Sequence, residues 1–200
     1  MSEWDEHAAD WERDAGPRAY AEAAFGSLLD VLDGHGIEPA GARVCDFGCG
    51  TGLLVERLVT AGASVDGVDT STAMLDLLRE KIERHGWSTV RALEHLASAV
   101  GPYDVVVCSS VLSFVDDHPG TVQRLATLLR PGGTFVQWDW ERAVDADDDH
   151  GLTAEEISTA LVAAGLVDVE VGTGFEVAIE DQVMRPLRGT GRRSENVADL

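Results

Sequence analysis

The feature that most limits the fold is a regular alternation of short strand-like runs with helical segments. Five runs rich in strand-forming residues occupy residues 43–47, 64–68, 89–93, 103–108 and 134–138. Between them, apolar residues recur at helical spacing. Strands that alternate with helices form a parallel sheet covered on both faces. We therefore predict an α/β fold, a three-layer α/β/α sandwich around a Rossmann-like, seven-stranded, mostly parallel sheet.

The last two strand-like runs differ from the others because no helix separates them. Residues 167–171 and 175–179 flank the turn-forming sequence Gly172-Thr173-Gly174. A short glycine-containing connection is typical of neighbouring antiparallel strands. We expect these two runs to pair with one another as a C-terminal antiparallel hairpin.

The charge balance limits the partners of this chain. It carries 36 acidic and 15 basic residues, for a net charge of −21, and its single lysine is Lys81. Because such a field repels polyanions, we expect neither nucleic acid nor a membrane as a partner. The arginines near the C-terminus are interpreted as part of a solvated tail rather than an anion site. They are Arg185, Arg188, Arg192 and Arg193.

The scarcity of lysine beside abundant aspartate suggests a halophilic protein. In about 1 M salt the Debye length falls to about 3 Å, which relieves the self-repulsion of an acidic chain. We expect the midpoint of thermal unfolding to be lower in dilute buffer than in molar salt. Equal midpoints in the two buffers would contradict this hypothesis.

Neither a membrane segment nor a metal site is predicted. No apolar run reaches the roughly 18 to 20 residues that span a bilayer, and the acidic N-terminus lacks the features of a secretion signal. We therefore expect a cytoplasmic protein.

The cysteines form no CxxC pair, so Cys45, Cys49 and Cys108 are interpreted as buried apolar residues rather than metal ligands. The acidic run between residues 141 and 151 is interpreted as a solvated loop rather than a cation site.

A glycine-rich turn directly follows the first strand. Gly48, Gly50 and Gly52 alternate with other residues at the point where the strand gives way to a helix. Glycines at such a point let the backbone turn sharply and let a ligand approach the main chain. The dinucleotide pattern GxGxxG needs a third glycine where Leu53 stands, and the lysine of a phosphate-binding loop is absent. Asp46, just before the turn, opposes a pyrophosphate and favours a ligand that carries positive charge, such as an amine or a sulfonium.

Four segments in order resemble the motifs of a known family. The sequence VCDFGCGTG resembles motif I of the class I S-adenosylmethionine-dependent methyltransferases, and VDGVDTS resembles the strand that ends in their ribose-binding acid. PYDVVVCSSVLSFV and LLRPGGTFVQWDW are similar to the family's fourth and fifth strand motifs. The resemblance implies S-adenosylmethionine as cofactor and an enzyme that transfers a methyl group to an acceptor. A short lid and the absence of an inserted domain suggest a small-molecule acceptor.

The resemblance also implies which residues bind the cofactor. The three glycines and Asp46 correspond to family residues that contact the methionine part of the cofactor. Asp69 corresponds to the residue that accepts hydrogen bonds from both ribose hydroxyls. Glu94 and His95 correspond to the residues that contact the adenine. Ser109 follows the fourth strand near the methionine part, and Tyr20 belongs to a lid with Trp4 and Trp11. The implied cofactor-binding residues are Asp46, Gly48, Gly50, Gly52, Asp69, Glu94, His95, Ser109 and Tyr20.

Methyl transfer needs alignment more than acid or base chemistry. If a hydroxyl acceptor must lose its proton, His118 and Asp139 are the candidate catalytic residues. Two alternatives remain. The chain could be a catalytically silent S-adenosylmethionine-binding protein with a regulatory or assembly role, or a nicotinamide-dependent oxidoreductase.

We expect a single domain over residues 1–200. Its parts are an N-terminal helical lid at 1–40, a cofactor-binding core at 41–140, the completion of the sheet at 141–184 and a tail at 185–200.

Overall fold

The computed structural model describes residues 3–11, 13–142, 151–179 and 182–195, so the predicted acidic loop lies largely outside the described residues. The strands are β1 (Arg43–Phe47), β2 (Ser64–Val68), β3 (Val90–Leu93), β4 (Tyr103–Ser109), β5 (Leu129–Asp139), β6 (Leu166–Thr173), β7 (Val177–Ile179), β8 (Gln182–Met184) and β9 (Leu187–Arg193). The helices are α1 (Ala8–Trp11), α2 (Ala15–Gly34), α3 (Leu53–Thr60), α4 (Thr72–His85), α5 (His118–Thr127) and α6 (Ala154–Ala163).

Seven strands form one sheet in the order β3-β2-β1-β4-β5-β9-β6. Strands β1 to β5 pair in parallel, and β9 runs antiparallel to both β5 and β6. The predicted seven-stranded, mostly parallel sheet is confirmed. The strand order reverses between β1 and β4, and ligands of such sheets bind beyond the carboxyl ends of the strands at this point.

Each face of the sheet is covered by helices, as a buried parallel sheet requires. Along β4, Val105 and Val107 face the cluster built with α2, α3 and α4. Val106 and Cys108 point the other way, into the cluster built with α5 and α6. This strict alternation on a central strand produces the three layers that the sequence predicts.

The predicted tail at 185–200 is wrong, because β9 lies inside it and occupies an interior position of the sheet. Glycine, arginine and a single leucine give this strand little local strand signal. Its glycines are nevertheless needed for packing. A Cβ at Gly189 would lie 2.4 Å from Ile157 Cγ2, and one at Gly191 would lie 3.0 Å from Leu166 Cβ.

The predicted pairing of residues 167–171 with 175–179 is also wrong. Strand β6 pairs with β9, whereas β7 pairs with β8 in a separate two-stranded hairpin. The Gly172-Thr173-Gly174 segment therefore leads out of the sheet, and the chain returns to it only at Leu187. The spacing of residues in the sequence predicted two adjacent strands. It could not reveal that the later strand β9 lies between β5 and β6 and pairs with both.

Two absences hold within the described residues. No helix there has both the length and the apolar character to cross a membrane. Nor do the histidine, cysteine, aspartate and glutamate side chains of that part form a cluster that could hold a metal ion. Cys45, Cys49 and Cys108 are buried and free.

Candidate functional site

A cavity of about 710 Å³ opens beside the carboxyl ends of β1, β2 and β4. Its volume is within the roughly 300–1,000 Å³ of small-molecule sites. Eight residues predicted from the sequence to bind a cofactor line it: Tyr20, Asp46, Gly48, Gly50, Asp69, Glu94, His95 and Ser109. Residues scattered over 90 positions of the chain are thus brought to one place by the sheet topology.

The glycine turn has the backbone conformation that requires glycine. Gly48, Gly50 and Gly52 have φ angles of 76°, 53° and 86°. Gly48 and Gly50 line the cavity, but Gly52 does not. Gly52 precedes α3, where a Cβ would lie 2.6 Å from Leu78 Cδ1. In this structure a glycine at position 52 permits the close packing of α3 against α4, and its contact with a ligand stays a prediction.

Asp46 is the most unusual charged group of the cavity. Its side chain is 1% exposed, and neither carboxylate oxygen accepts a hydrogen bond from the described residues. Burial, and then the nearby charge of Asp69, raises the pKa of Asp46 to about 7. A buried carboxylate without a donor is costly in free energy, so this position fits a ligand group that is positively charged.

Asp69 joins three elements at the end of β2. Its Oδ2 accepts a hydrogen bond from Gly50 N at 2.8 Å, and its Oδ1 accepts one from Ser71 N at 2.8 Å. Ser71 is the N-cap of α4 and accepts a hydrogen bond from Met74 N. The carboxylate therefore fixes the glycine turn relative to α4 while it lines the cavity.

The residues after β3 and β4 complete one wall of the cavity. Glu94 accepts a hydrogen bond from Arg79 at 3.0 Å, and His95 and Leu96 follow it along the wall. Ser110, which sequence reasoning missed, has a φ of 53°, a conformation unusual for a residue other than glycine. Ser110 Oγ donates to Tyr20 Oη at 2.8 Å. Burial raises the pKa of Tyr20, so its phenol stays protonated.

Aromatic side chains from distant parts of the chain also line the cavity. Trp4 packs against Phe114 with ring centroids 5.3 Å apart, and Tyr20 packs against Trp140 at 5.3 Å. The N-terminal segment is fastened by Asp5, whose Oδ1 accepts a hydrogen bond from Ser71 Oγ at 2.6 Å. Further lining residues that the sequence did not reveal are Phe114, Arg124 and Met184. Their positions depend on loop and hairpin placement, for which no local pattern exists.

Residues 45–135 match a family model described as a methyltransferase domain. In sequence, this part of the chain is similar to a methyltransferase domain. The match includes the glycine turn, Asp69 and the residues after β3 and β4, which are the parts that line the cavity.

Curated proteins that are similar to this chain include ubiquinone biosynthesis O-methyltransferases. The one from Aromatoleum aromaticum is 41% identical over 101 residues, which cover 47% of this chain and 42% of the relative. The one from Xanthomonas axonopodis pv. citri is 35% identical over 127 residues, with 62% and 52% covered. The matches span about half the length of these relatives.

Solved structures share the fold over most of the chain. Magnesium protoporphyrin IX methyltransferase from Synechocystis PCC 6803, with bound SAH, has a TM-score of 0.68 at 22% identity and covers 91% of this chain and 86% of its own. A Haloferax volcanii protein solved in complex with the Trm112 methyltransferase activator has a TM-score of 0.73 at 22% identity, with 97% and 99% covered. At this level of identity the likenesses show a shared fold.

The two candidate catalytic residues do not line the cavity. Asp139 is the last residue of β5 and is fully buried, and His118 is a 9%-exposed residue at the start of α5. Burial, only partly opposed by hydrogen bonds from Ser113, raises the pKa of Asp139 to about 7. Burial also lowers the pKa of His118, whose ring lies beside the Gln137 side chain.

Neither His118 nor Asp139 lies at the cavity surface in this structure, and their catalytic role stays a prediction. Strand β5 extends to Asp139, and side chains alternate along a strand, so Asp139 points under the loop that follows β4. Trp140, one residue later, is the side chain that reaches the cavity.

Proposed function

We propose that the cavity binds S-adenosylmethionine and that the domain transfers its methyl group to a small-molecule acceptor. The observation that carries this proposal is the pair of buried, unpartnered carboxylate oxygens of Asp46. Phosphate-containing cofactors would be repelled there, whereas an ammonium group would supply both the charge and the missing donors. The bound cofactor would supply an electrophilic methyl group on a positively charged sulfur.

The residues of the chain have distinct tasks in this proposal. Gly48 and Gly50 leave the backbone open to the amino-acid part of the ligand. Asp69 already accepts two backbone hydrogen bonds, and the unused lone pairs of its oxygens are available to ribose hydroxyls. Glu94 and His95 lie where the adenine would be bound. An in-line displacement depends on such positioning, which can contribute several kcal/mol.

The remaining part of the cavity indicates the character of the acceptor. Trp4, Phe114, Tyr20 and Trp140 present aromatic faces and edges, so they suit a largely apolar, flat molecule and exclude water from the transfer. Since the curated relatives are O-methyltransferases, we propose a hydroxyl group as the methyl acceptor. The proposal assigns no general base, because His118 and Asp139 do not line the cavity.

Binding through Asp46 predicts a pH dependence. The pKa of Asp46, raised to about 7 by burial and Asp69, means that the carboxylate is lost as the pH falls below neutral. We expect the affinity for S-adenosylhomocysteine to rise on the order of tenfold between about pH 6 and pH 7.5 and to level off above that. Asp46→Asn should give lower affinity and a flat profile, which calorimetric titration at constant ionic strength would reveal. Parallel profiles for wild type and variant would contradict the role of Asp46.

The proposed function is tested by calorimetric titration with S-adenosylmethionine, S-adenosylhomocysteine and a nicotinamide dinucleotide in molar salt. Saturable binding of the first two supports the proposal, and a screen of hydroxylated aromatic acceptors then follows by mass spectrometry. The screen is run with and without a Trm112-type partner, because one protein of the same fold was solved with that activator. Binding without turnover would favour the catalytically silent alternative. No binding by the folded protein would overturn both, and binding of the nicotinamide dinucleotide alone would favour the oxidoreductase.

A further inference from the structure

Asp139 is a buried carboxylate that forms no ion pair within the described residues. Its Oδ1 accepts a hydrogen bond from Ser113 N at 3.0 Å, and its Oδ2 accepts one from Gln137 Nε2 at 3.1 Å. An interior carboxylate needs donors to remain in place. One of these donors is a backbone amide of the loop between β4 and α5, residues 110–117.

Hydrogen bonds hold this loop at three points close to the cavity. Ser110 N donates to Trp138 O at 2.7 Å, and Ser110 Oγ donates to Tyr20 Oη at 2.8 Å. The third point is the bond from Ser113 N to Asp139. Because Ser110 has a φ of 53°, the start of the loop adopts a conformation that persists only with support from its surroundings.

The loop forms part of the cavity wall through its apolar side chains. Val111 lies so close to the glycine turn that a Cβ at Gly48 would be 2.5 Å from Val111 Cβ. Phe114 lies at the other end and packs edge-on against Trp4 of the N-terminal segment. A shift of the loop would therefore alter the turn, the N-terminal segment and the space between them together.

We propose that Asp139 is a positioning residue, whose carboxylate holds Ser113 and thereby fixes the β4–α5 loop as a wall of the cavity. The importance of this wall for the reaction rests on the proposed function, but the anchoring of the loop does not. Removal of the carboxylate leaves the part-buried Ser113 amide without its acceptor, a cost that falls when the loop moves and exposes the amide to water. Asparagine keeps one acceptor oxygen for Ser113, and its amide group can pair with Gln137 Oε1 once the Gln137 side chain is turned over.

The test is residue-resolved amide hydrogen exchange on the ligand-free, full chain. In Asp139→Ala we expect the exchange rate at Ser113 to rise at least about tenfold, while amides of β1 stay protected. Asp139→Leu keeps the branched shape of the side chain without an acceptor, so it should give the same result even if the alanine variant folds poorly. Asp139→Asn should stay within about threefold of wild type, as should Asp116→Ala, which removes an exposed carboxylate from the same loop.

Unchanged protection of Ser113 in both apolar variants would overturn the proposal, as would an asparagine variant that exchanges as fast as the alanine variant. Titration with S-adenosylhomocysteine supplies the functional readout. We expect weaker binding in Asp139→Ala and recovery in Asp139→Asn, a pattern that a loss of global stability alone would not produce. If the wild type does not bind S-adenosylhomocysteine, the proposed function fails while the exchange data still decide the role of Asp139.

Discussion

Asp69→Ala is expected to weaken the binding of S-adenosylhomocysteine by about 1.5–3 kcal/mol, the range for hydrogen bonds to a charged group. This corresponds to a loss of roughly tenfold to 150-fold in affinity. The carboxylate lines the cavity and accepts hydrogen bonds from Gly50 N and Ser71 N, so its loss removes the proposed ribose contact and also the two bonds that fix the glycine turn relative to α4. Calorimetric titration in molar salt measures the effect.

Two controls separate this contact from general effects of charge. Asp30→Ala removes an exposed carboxylate from α2 and changes the net charge by the same amount, so it should bind as the wild type does. Asp69→Asn keeps one acceptor oxygen and should fall between the alanine variant and the wild type. Equal affinities for Asp69→Ala and Asp30→Ala would show that Asp69 does not contact the ligand.

The core of the fold could be predicted from the sequence because its signals are local. Strands β1, β2 and β4 are short apolar runs, and each is followed by turn-forming or helix-capping residues. Gly48, Gly50 and Asp69 were found by the same means, since they occupy the ends of those strands. Parallel pairing then brings them together without further information.

The C-terminal part could not be predicted because its order depends on contacts between distant residues. Strand β9 is stabilised by pairing on both sides and by the fit of Gly189 against Ile157. Neither feature leaves a pattern in residues 187–193, which are rich in glycine and arginine. A strand of this kind is recognised only when its neighbours are known.

The positions of the two candidate catalytic side chains away from the cavity have a related cause. His118 and Asp139 follow strands at the carboxyl edge of the sheet, where functional groups are common. The direction of a side chain near the end of a strand depends on where the strand ends. Strand β5 ends at Asp139, one residue beyond the predicted end at Trp138. Because successive side chains of a strand point to opposite faces of the sheet, an error of one residue in the strand end reverses the predicted direction of the next side chain. Asp139 consequently faces the interior of the protein and Trp140 faces the cavity.

Gly48→Ala is expected to lower the free energy of unfolding by about 2–5 kcal/mol, the largest stability effect that we predict. Two costs combine. A non-glycine residue in the left-handed conformation costs about 1–2 kcal/mol, and Gly48 has a φ of 76°. The new Cβ would also lie 2.5 Å from Val111 Cβ and Cγ2, and overpacking of this kind typically costs about 1–3 kcal/mol.

Substitutions at other glycines and at Val111 serve as controls. The free energy of unfolding of each variant is measured with urea in molar salt. Gly50→Ala has the positive φ but no atom within 4 Å of its Cβ, so it should lose only about 1–2 kcal/mol. Gly26→Ala lies in the interior of α2 with open space around it and should gain about 0.5–1 kcal/mol. In a Val111→Gly background, which removes the overlapping atoms, Gly48→Ala should cost no more than Gly50→Ala does. If Gly48→Ala is no worse than Gly50→Ala in the wild-type background, the close contact between the glycine turn and the β4–α5 loop does not constrain this position, and the loop has room to move away from the cavity.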